Sequence, residues 1–147
     1  MLYAVRSANK DLLSRLILKG WDLKVLNDKQ QNLFHVACSS EHSGSQNCVK
    51  LILDSLSDDE CWEMVSAMDE EGKTPLHYAA RRGKKEVILL LINKGAGMEV
   101  YDNVGKTPLH YSVLEERMKG TQCLIDAGFP IDCVDIEGQT CMHEAAR

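Results

Sequence analysis

The sequence predicts an all-α solenoid, and three observations lead there. The tetrapeptide Thr-Pro-Leu-His occupies Thr74–His77 and returns at Thr107–His110, 33 residues later. A degraded copy, Thr140-Cys141-Met142-His143, follows after the same interval. The first copy is followed by two short apolar-periodic stretches separated and closed by glycine, Gly83 and Gly95. Self-similarity at a fixed period of this size means that one supersecondary unit is stacked on the next, so the core is continuous along the stack and not closed around a centre.

The block 69–101 shows why each unit is a helix pair. Thr74 followed by Pro75 starts a helix: the hydroxyl can accept from the amide three positions on, and proline at the first helical position loses no hydrogen bond. Leu76, Ala79 and Ala80 make a short helix with small residues, and Gly83 stops it. A second helix is expected over about Lys85–Asn93, with Val87, Leu90 and Leu91 on one face, and Gly95 supplies the left-handed residue that ends it. Asp69/Gly72 and Asp102/Gly105 mark a turn before each tetrapeptide. The unit is a turn plus an antiparallel helix pair.

The pattern Asp-x-x-Gly-x-Thr-Pro-Leu-His-x-Ala-Ala, carried almost whole by 69–80, resembles the ankyrin repeat, and the resemblance extends along essentially the entire chain. It implies an ankyrin-repeat solenoid of stacked helix-turn-helix units with β-hairpin-like turns, occupying 1–147 as a single domain. The expected units are a hairpin-less capping repeat at 1–26, a repeat with insertions at 27–68, regular repeats at 69–101 and 102–134, and a partial repeat at 135–147.

In the capping unit Tyr3, Ala4 and Val5 lie on the first helix, Leu12, Leu13, Leu16 and Ile17 on the second, and Gly20 stops it. In the next, Asn32-Leu33-Phe34-His35 is an eroded tetrapeptide lying 42 residues before Thr74. The surplus places about three residues near 39–47 and about six between Leu56 and Asp69. Within that second insertion Ser57 and Glu60 make a capping box. Cys61, Val65 and Met68 then share a face beside Trp62, which predicts an extra helix packed on the stack, with a docking element as the alternative. In 102–134, Glu116 replaces the mid-repeat glycine and Gly120 falls inside the second helix, so that pair is expected to be less regular. Because Arg147 ends the sequence inside a first helix, the chain is expected to be part of a longer one.

Composition narrows the function classes. Net charge is −5, which disfavours generic nucleic-acid binding. There is no apolar run of membrane-spanning length and no secretory leader pattern at Met1. Of six cysteines, Cys38, Cys48 and Cys123 fill slots for Ala, Val or Leu and read as small core residues. Cys61 lies in the insertion, Cys133 in a return segment, and Cys141 replaces the tetrapeptide proline. This usage fits reduced thiols and an intracellular location, cytoplasmic or nuclear or both.

His35, His77, His110 and His143 recur in register, but rings one repeat apart cannot share a metal ion at bonds of about 2 Å. The resemblance implies instead that each ring bonds backbone in the hairpins and ties repeats together. There is no phosphate-cradling glycine loop and no Gly-x-Ser-x-Gly. No catalytic residue, metal or cofactor is expected, and no small-molecule substrate.

What the resemblance implies is protein binding by a concave face made of hairpin tips and first helices. Carried over by position, the candidate contacts are Lys73, Tyr78, Arg81, Arg82, Tyr101, Asn103, Val104, Lys106, Tyr111, Leu114, Glu115 and Ile136. Val104, Leu114 and Ile136 are apolar where solvent-facing residues belong, and suggest a patch on the last two units. Arg81, Arg82, Lys84 and Lys85 read as a solvated basic turn, with reception of an acidic or phosphorylated segment, or a nuclear-import signal, as the alternatives. The expected function is a non-catalytic scaffold for a partner protein. Two alternatives stay open: a targeting or autoinhibitory segment of a larger enzyme such as a kinase or ubiquitin ligase, and a regulator of a transcription factor resembling the NF-κB inhibitors.

Overall fold

In a computed structural model the described residues are 2–97 and 99–146, without the side chains of 144 and 145. Expectations for Met1 and for the end of the chain at Arg147 fall outside them. The described residues form an all-α ankyrin-type solenoid with no strand; a lone antiparallel bridge joins Val134 and Thr140.

The first helices are α1 (Leu2–Arg6), α3 (Leu33–Ser39), α6 (Pro75–Arg82), α8 (Pro108–Leu114) and α10 (Cys141–Ala145). Each packs on the next: α1 on α3, α3 on α6, α6 on α8, α8 on α10. The second helices α2 (Lys10–Leu18), α4 (Ser45–Ser55), α7 (Lys85–Asn93) and α9 (Met118–Asp126) form a parallel row, α2 against α4, α4 against α7, α7 against α9. Between the rows runs one apolar core from Ala4, Val5 and Leu13 through Phe34, Val49, Ile52, Leu76 and Leu91 to Leu109 and Leu124. Cys38, Cys48 and Cys123 are buried in it, as their slots predict, and Cys61 and Cys141 are buried too.

Left-handed residues sit at equivalent places: Gly83 (φ 67°), Glu116 (54°) and Ala8 (55°) between paired helices, and Gly20, Gly95 and Gly128 after the second ones. Glu116 therefore takes up the glycine conformation at some cost in strain.

Four expectations need correction. The second helix of 69–101 buries Val87, Ile88 and Leu91, while Leu90 is half-buried against the core. Gly120 does not disturb α9, which runs the same nine residues as α7. A Cβ on Gly120 would stand 3.0 Å from Gly83 Cα, so the missing side chain lets two repeats touch backbone to backbone. The basic turn is not simply solvated, since three of its four side chains reach neighbouring repeats, as described below.

The insertion does form a helix, α5 (Asp58–Val65), with the Ser57–Glu60 capping box in place. It turns Cys61, Met64 and Val65 inward and leaves Trp62 outward over Gly95. Met68 does not share that face. The helix ends at Ser66, and Met68, already in the approach to the next turn, is 55% exposed.

Candidate functional site: the hairpin edge and first helices

The edge is built from one repeated side-chain device. Asp69 Oδ1 accepts from the amides of Glu71 (2.9 Å) and Lys73 (3.0 Å), closing a turn in which Gly72 takes φ 76°. Asp102 does the same for Val104 and Lys106, Asp135 for Glu137 and Gln139, and Asn27 for Lys29 and Gln31. A carboxylate or amide satisfying two amides fixes the loop without help from a sheet. Successive tips are then joined through the backbone: Glu70 N–H to Lys29 C=O (3.1 Å), Asn103 N–H to Glu71 C=O (2.9 Å), Ile136 N–H to Val104 C=O (3.2 Å). The tips form a continuous, rigid edge.

The recurrent histidines lock this edge to the helices. In His77, Nδ1 accepts from the Thr74 amide (3.0 Å), which leaves the proton on Nε2 to be donated to the Lys106 carbonyl (3.1 Å). His35 bonds the Asn32 amide and the Lys73 carbonyl, and His110 the Thr107 amide and the Gln139 carbonyl. Each ring therefore joins its own helix cap to the hairpin of the following unit, as the resemblance implies. Burial holds His77 down at about pKa 4, against the upward pull of the Lys106 carbonyl and Asp102. His35 is lowered for the same reason. A second proton on such a ring would confront the donor N–H at Nδ1.

The tyrosines after the histidines complete the network. Tyr78 and Tyr111 donate to Asp69 and Asp102 at 2.5 Å, and burial together with those carboxylates pushes both hydroxyls up. For Asp69, burial alone would raise the carboxyl; the bonds from Tyr78, the Lys73 amide, Gln31 and the Glu71 amide outweigh it and leave the group below its ordinary value.

Most of the candidate contacts are occupied within the chain. Lys73 pairs with Glu71 and lies 5.9 Å from the Tyr78 ring and 5.2 Å from that of Tyr111, a cation between two aromatic faces. Lys106 pairs with Asp135 (3.3 Å) and Arg81 with Glu115 (3.3 Å). Arg82 pairs with Glu41 (2.9 Å) and donates to the Ser39 carbonyl (3.1 Å). Asn103 donates to the Glu70 carbonyl, and Tyr101 to Cys133 Sγ (3.3 Å).

The apolar trio is different. Ile136 is 73% exposed and Val104 44%, side by side at consecutive tips; Leu114, 42% exposed, sits at the far end of α8. A seven-residue helix is roughly 10 Å long, so Leu114 stands apart from the Val104–Ile136 pair.

Lys84 is a residue that sequence reasoning misread. Its ammonium reaches back to α3, donating to the Ala37 carbonyl (3.3 Å), the Ser40 carbonyl and Ser45 Oγ (2.6 Å). It closes the C-terminal end of the preceding repeat's helix, and burial pushes its pKa down. Nothing in the local sequence separates it from its neighbour Lys85, because its partners lie some forty positions upstream.

Among the described residues no group of acidic, histidine and cysteine side chains is arranged to hold a metal ion, and no helix is long and apolar enough to cross a membrane.

Comparison with known proteins agrees with this architecture. The chain is 31% identical over 99 residues to the B-cell lymphoma 3 protein homolog of Mus musculus; the match covers 67% of this chain but only 21% of that protein. A family model described as ankyrin repeats (3 copies) matches residues 1–102. With the hairpin device, the histidine relay and the stacked helix pairs in place, the chain belongs to the ankyrin-repeat family.

Proposed function

We propose that this chain is a non-catalytic scaffold that holds a partner protein against its hairpin edge and first helices, with Val104 and Ile136 as apolar anchors. Ankyrin repeats in general bind other proteins, which supports the class of function. The observation that carries the finer reading is the contrast along the edge. The polar candidates Lys73, Lys106, Asn103, Arg81 and Arg82 are bonded within the chain, whereas Val104 and Ile136 are joined through their backbones, adjacent and exposed. A rigid apolar pair loses little entropy on binding, and burying one such side chain contributes about 1.5–3 kcal/mol. Lys73, Tyr78, Arg81, Arg82, Tyr101, Asn103, Lys106, Tyr111, Leu114 and Glu115 form the surrounding rim in this reading, and the units 1–26, 27–68, 69–101, 102–134 and 135–147 act as one array.

The test is affinity capture with cross-linking, comparing the parent chain with a Val104→Asp/Ile136→Asp variant. A partner held by this edge should bind at least tenfold more weakly to the variant, with cross-links at 103–106 and 136–139 lost and the melting temperature within a few degrees. Equal capture by both would overturn the assignment.

A further inference from the structure

The last hairpin differs from the others in the two residues that face each other at its base. Val134 and Thr140 form an antiparallel bridge, and next to it the Asp135 amide donates to the Gln139 carbonyl (2.9 Å). One step further from the tip, this register sets Cys133 opposite Cys141, the first residue of α10. The corresponding residues of the preceding units are Val25 with Leu33, Ala67 with Pro75 and Val100 with Pro108, so only this unit carries thiols at the facing places. Opposed residues of an antiparallel pair have Cα atoms about 4.5–5.5 Å apart, within the span of about 4.4–6.8 Å that a disulfide bridges.

The two thiols are placed for unequal roles. Cys141 is buried, and its Sγ is turned back onto the incoming segment, donating to the Ile131 carbonyl (3.2 Å), two residues before Cys133. Burial pushes the Cys141 thiol up, and the neighbouring Cys133 adds to the rise. Cys133 alone of the six cysteines is partly exposed. Its Sγ accepts from the hydroxyl of Tyr101, itself an exposed residue, so the sulfur lies where a small solute can reach it. Cys38, Cys48, Cys61 and Cys123 are buried in the core and offer no such access.

We propose that Cys133 and Cys141 form a redox modification site, at which a hydroperoxide oxidises Cys133 and Cys141 converts the product to an intramolecular disulfide. Hydrogen peroxide is the simplest such oxidant. In the first step the Cys133 sulfur attacks one peroxide oxygen. The S–O bond forms as the O–O bond breaks, and the departing hydroxide takes the thiol proton and leaves as water. In the second step the Cys141 sulfur attacks the sulfenic sulfur. The S–S bond forms, the S–O bond breaks, and the hydroxide takes the Cys141 proton and leaves as a second water. Two thiols lose two electrons and two protons, and one peroxide becomes two waters. The buried Cys141 is poorly placed to meet the oxidant and well placed to meet the sulfenic acid formed opposite it. Bond formation releases the Tyr101 hydroxyl and closes a loop over 133–141, with Ile136 at its tip.

The experiment exposes the reduced full chain to hydrogen peroxide at neutral pH, blocks remaining thiols under denaturation and digests with a protease cutting after aspartate and glutamate. Asp126, Asp132, Asp135 and Glu137 then put Cys123, Cys133 and Cys141 on separate peptides. The Cys133 and Cys141 peptides should be recovered joined, should separate on adding dithiothreitol, and should come from a chain that forms no cross-linked dimer. Cys133→Ser should slow peroxide consumption at least tenfold, and Cys141→Ala should stop at a sulfenic acid that dimedone traps on Cys133. Because Cys141 is buried, the peptide map of the parent chain carries the test even where Cys141→Ala unfolds. A parent chain that stops at the dimedone-reactive acid, joins Cys133 to any other cysteine or to a second chain, or consumes peroxide no faster than Cys133→Ser would overturn the proposal. None of these results depends on whether Val104 and Ile136 anchor a partner.

Discussion

The helix pair α6–α7 and the stretch from α3 to α5 carry out the same task with different residues. In α6 the cap is Thr74 followed by proline; in α3 it is Asn32 followed by Leu33, and Asn32 Oδ1 accepts from the amides of Phe34 and His35 instead. The hairpin before α6 is turned by Asp69 and Gly72, while the one before α3 uses Asn27 and Gln30, the latter at φ 61°. Both histidines bond their own cap and the next hairpin. What the repeat requires is therefore a set of satisfied backbone groups, which several side chains can supply. Extra residues are accepted only in the turn between helices and in the return segment. There α5 covers them with Cys61, Met64 and Val65, and Asn32 Nδ2 donates to the Met64 carbonyl (2.8 Å).

The sharpest way to break this comparison is to remove core volume in the regular unit. Leu91→Ala, at a position with no exposure, should cost about 2–5 kcal/mol in denaturant unfolding, and the half-buried Leu90→Ala clearly less. Ile52→Ala in α4, equally buried, should fall in the same range as Leu91→Ala if the inserted residues leave the core continuous. A markedly smaller cost at Ile52 would show that the irregular repeat is loosely packed.

Acid comes next. With a folded-state pKa of about 4 against 6.5 in the unfolded chain, His77 is kept neutral by the fold, so unfolded chains bind more protons between those values. Stability is fully present above pH 6.5 and declines as pH falls toward 4. The loss from His77 alone is on the order of 3 kcal/mol. His35, lowered in the same direction, adds to it. Urea melts at pH 7 and pH 4.5 read the slope. If the relay is common to both regions, His35→Gln and His77→Gln should each flatten it; a flattening from His77→Gln alone would confine the device to the regular repeat.

The parts legible in the sequence are those in which a residue acts on backbone near itself. Thr74, Pro75, Asp69, Gly72 and Gly83 each govern a turn or cap within a few positions, and the bounds of α7 follow from them. The Ser57–Glu60 box marked α5 for the same reason. What stayed hidden depends on contacts between repeats. Lys84 looks like a surface charge until α3 is placed beside it, and Arg82 until Glu41 is. Gly120 reads as a flaw in a helix because Gly83, its neighbour in space, belongs to another unit. Of the candidate site, the positions were recoverable by register, but which side chains are already engaged was not, since Lys73, Lys106 and Arg81 find their partners across turns or repeat boundaries.

Gly120→Ala tests the second kind of information. Alanine should favour a helix by up to about 1 kcal/mol, but the new Cβ would lie 3.0 Å from Gly83 Cα and 3.4 Å from Ile88 Cδ1. Gly83 is held in the left-handed region between two helices and cannot recede easily. Overpacking of about 1–3 kcal/mol should prevail, for a net loss near 1 kcal/mol by chemical denaturation. A gain in stability would show that α7 and α9 can separate at no cost, and that the close approach is incidental.

The smallest effect runs in the opposite direction and belongs to the irregular repeat. Gln30 occupies the turn position that Gly72, Gly105 and Gly138 hold elsewhere, with φ 61° where those glycines have 74–76°. A non-glycine residue there carries about 1–2 kcal/mol of strain, and glycine returns roughly 0.5–1 kcal/mol of that as unfolded-state entropy. Gln30 is exposed, and its backbone amide bond to the Asn27 carbonyl (3.1 Å) does not need the side chain. Gln30→Gly should therefore stabilise the chain by up to about 1 kcal/mol, seen as a small upward shift of the denaturation midpoint with an unchanged slope. A loss instead would mean that the glutamine side chain contributes to the first hairpin in a way its regular counterparts do not, and the two regions would then differ in mechanism as well as in sequence.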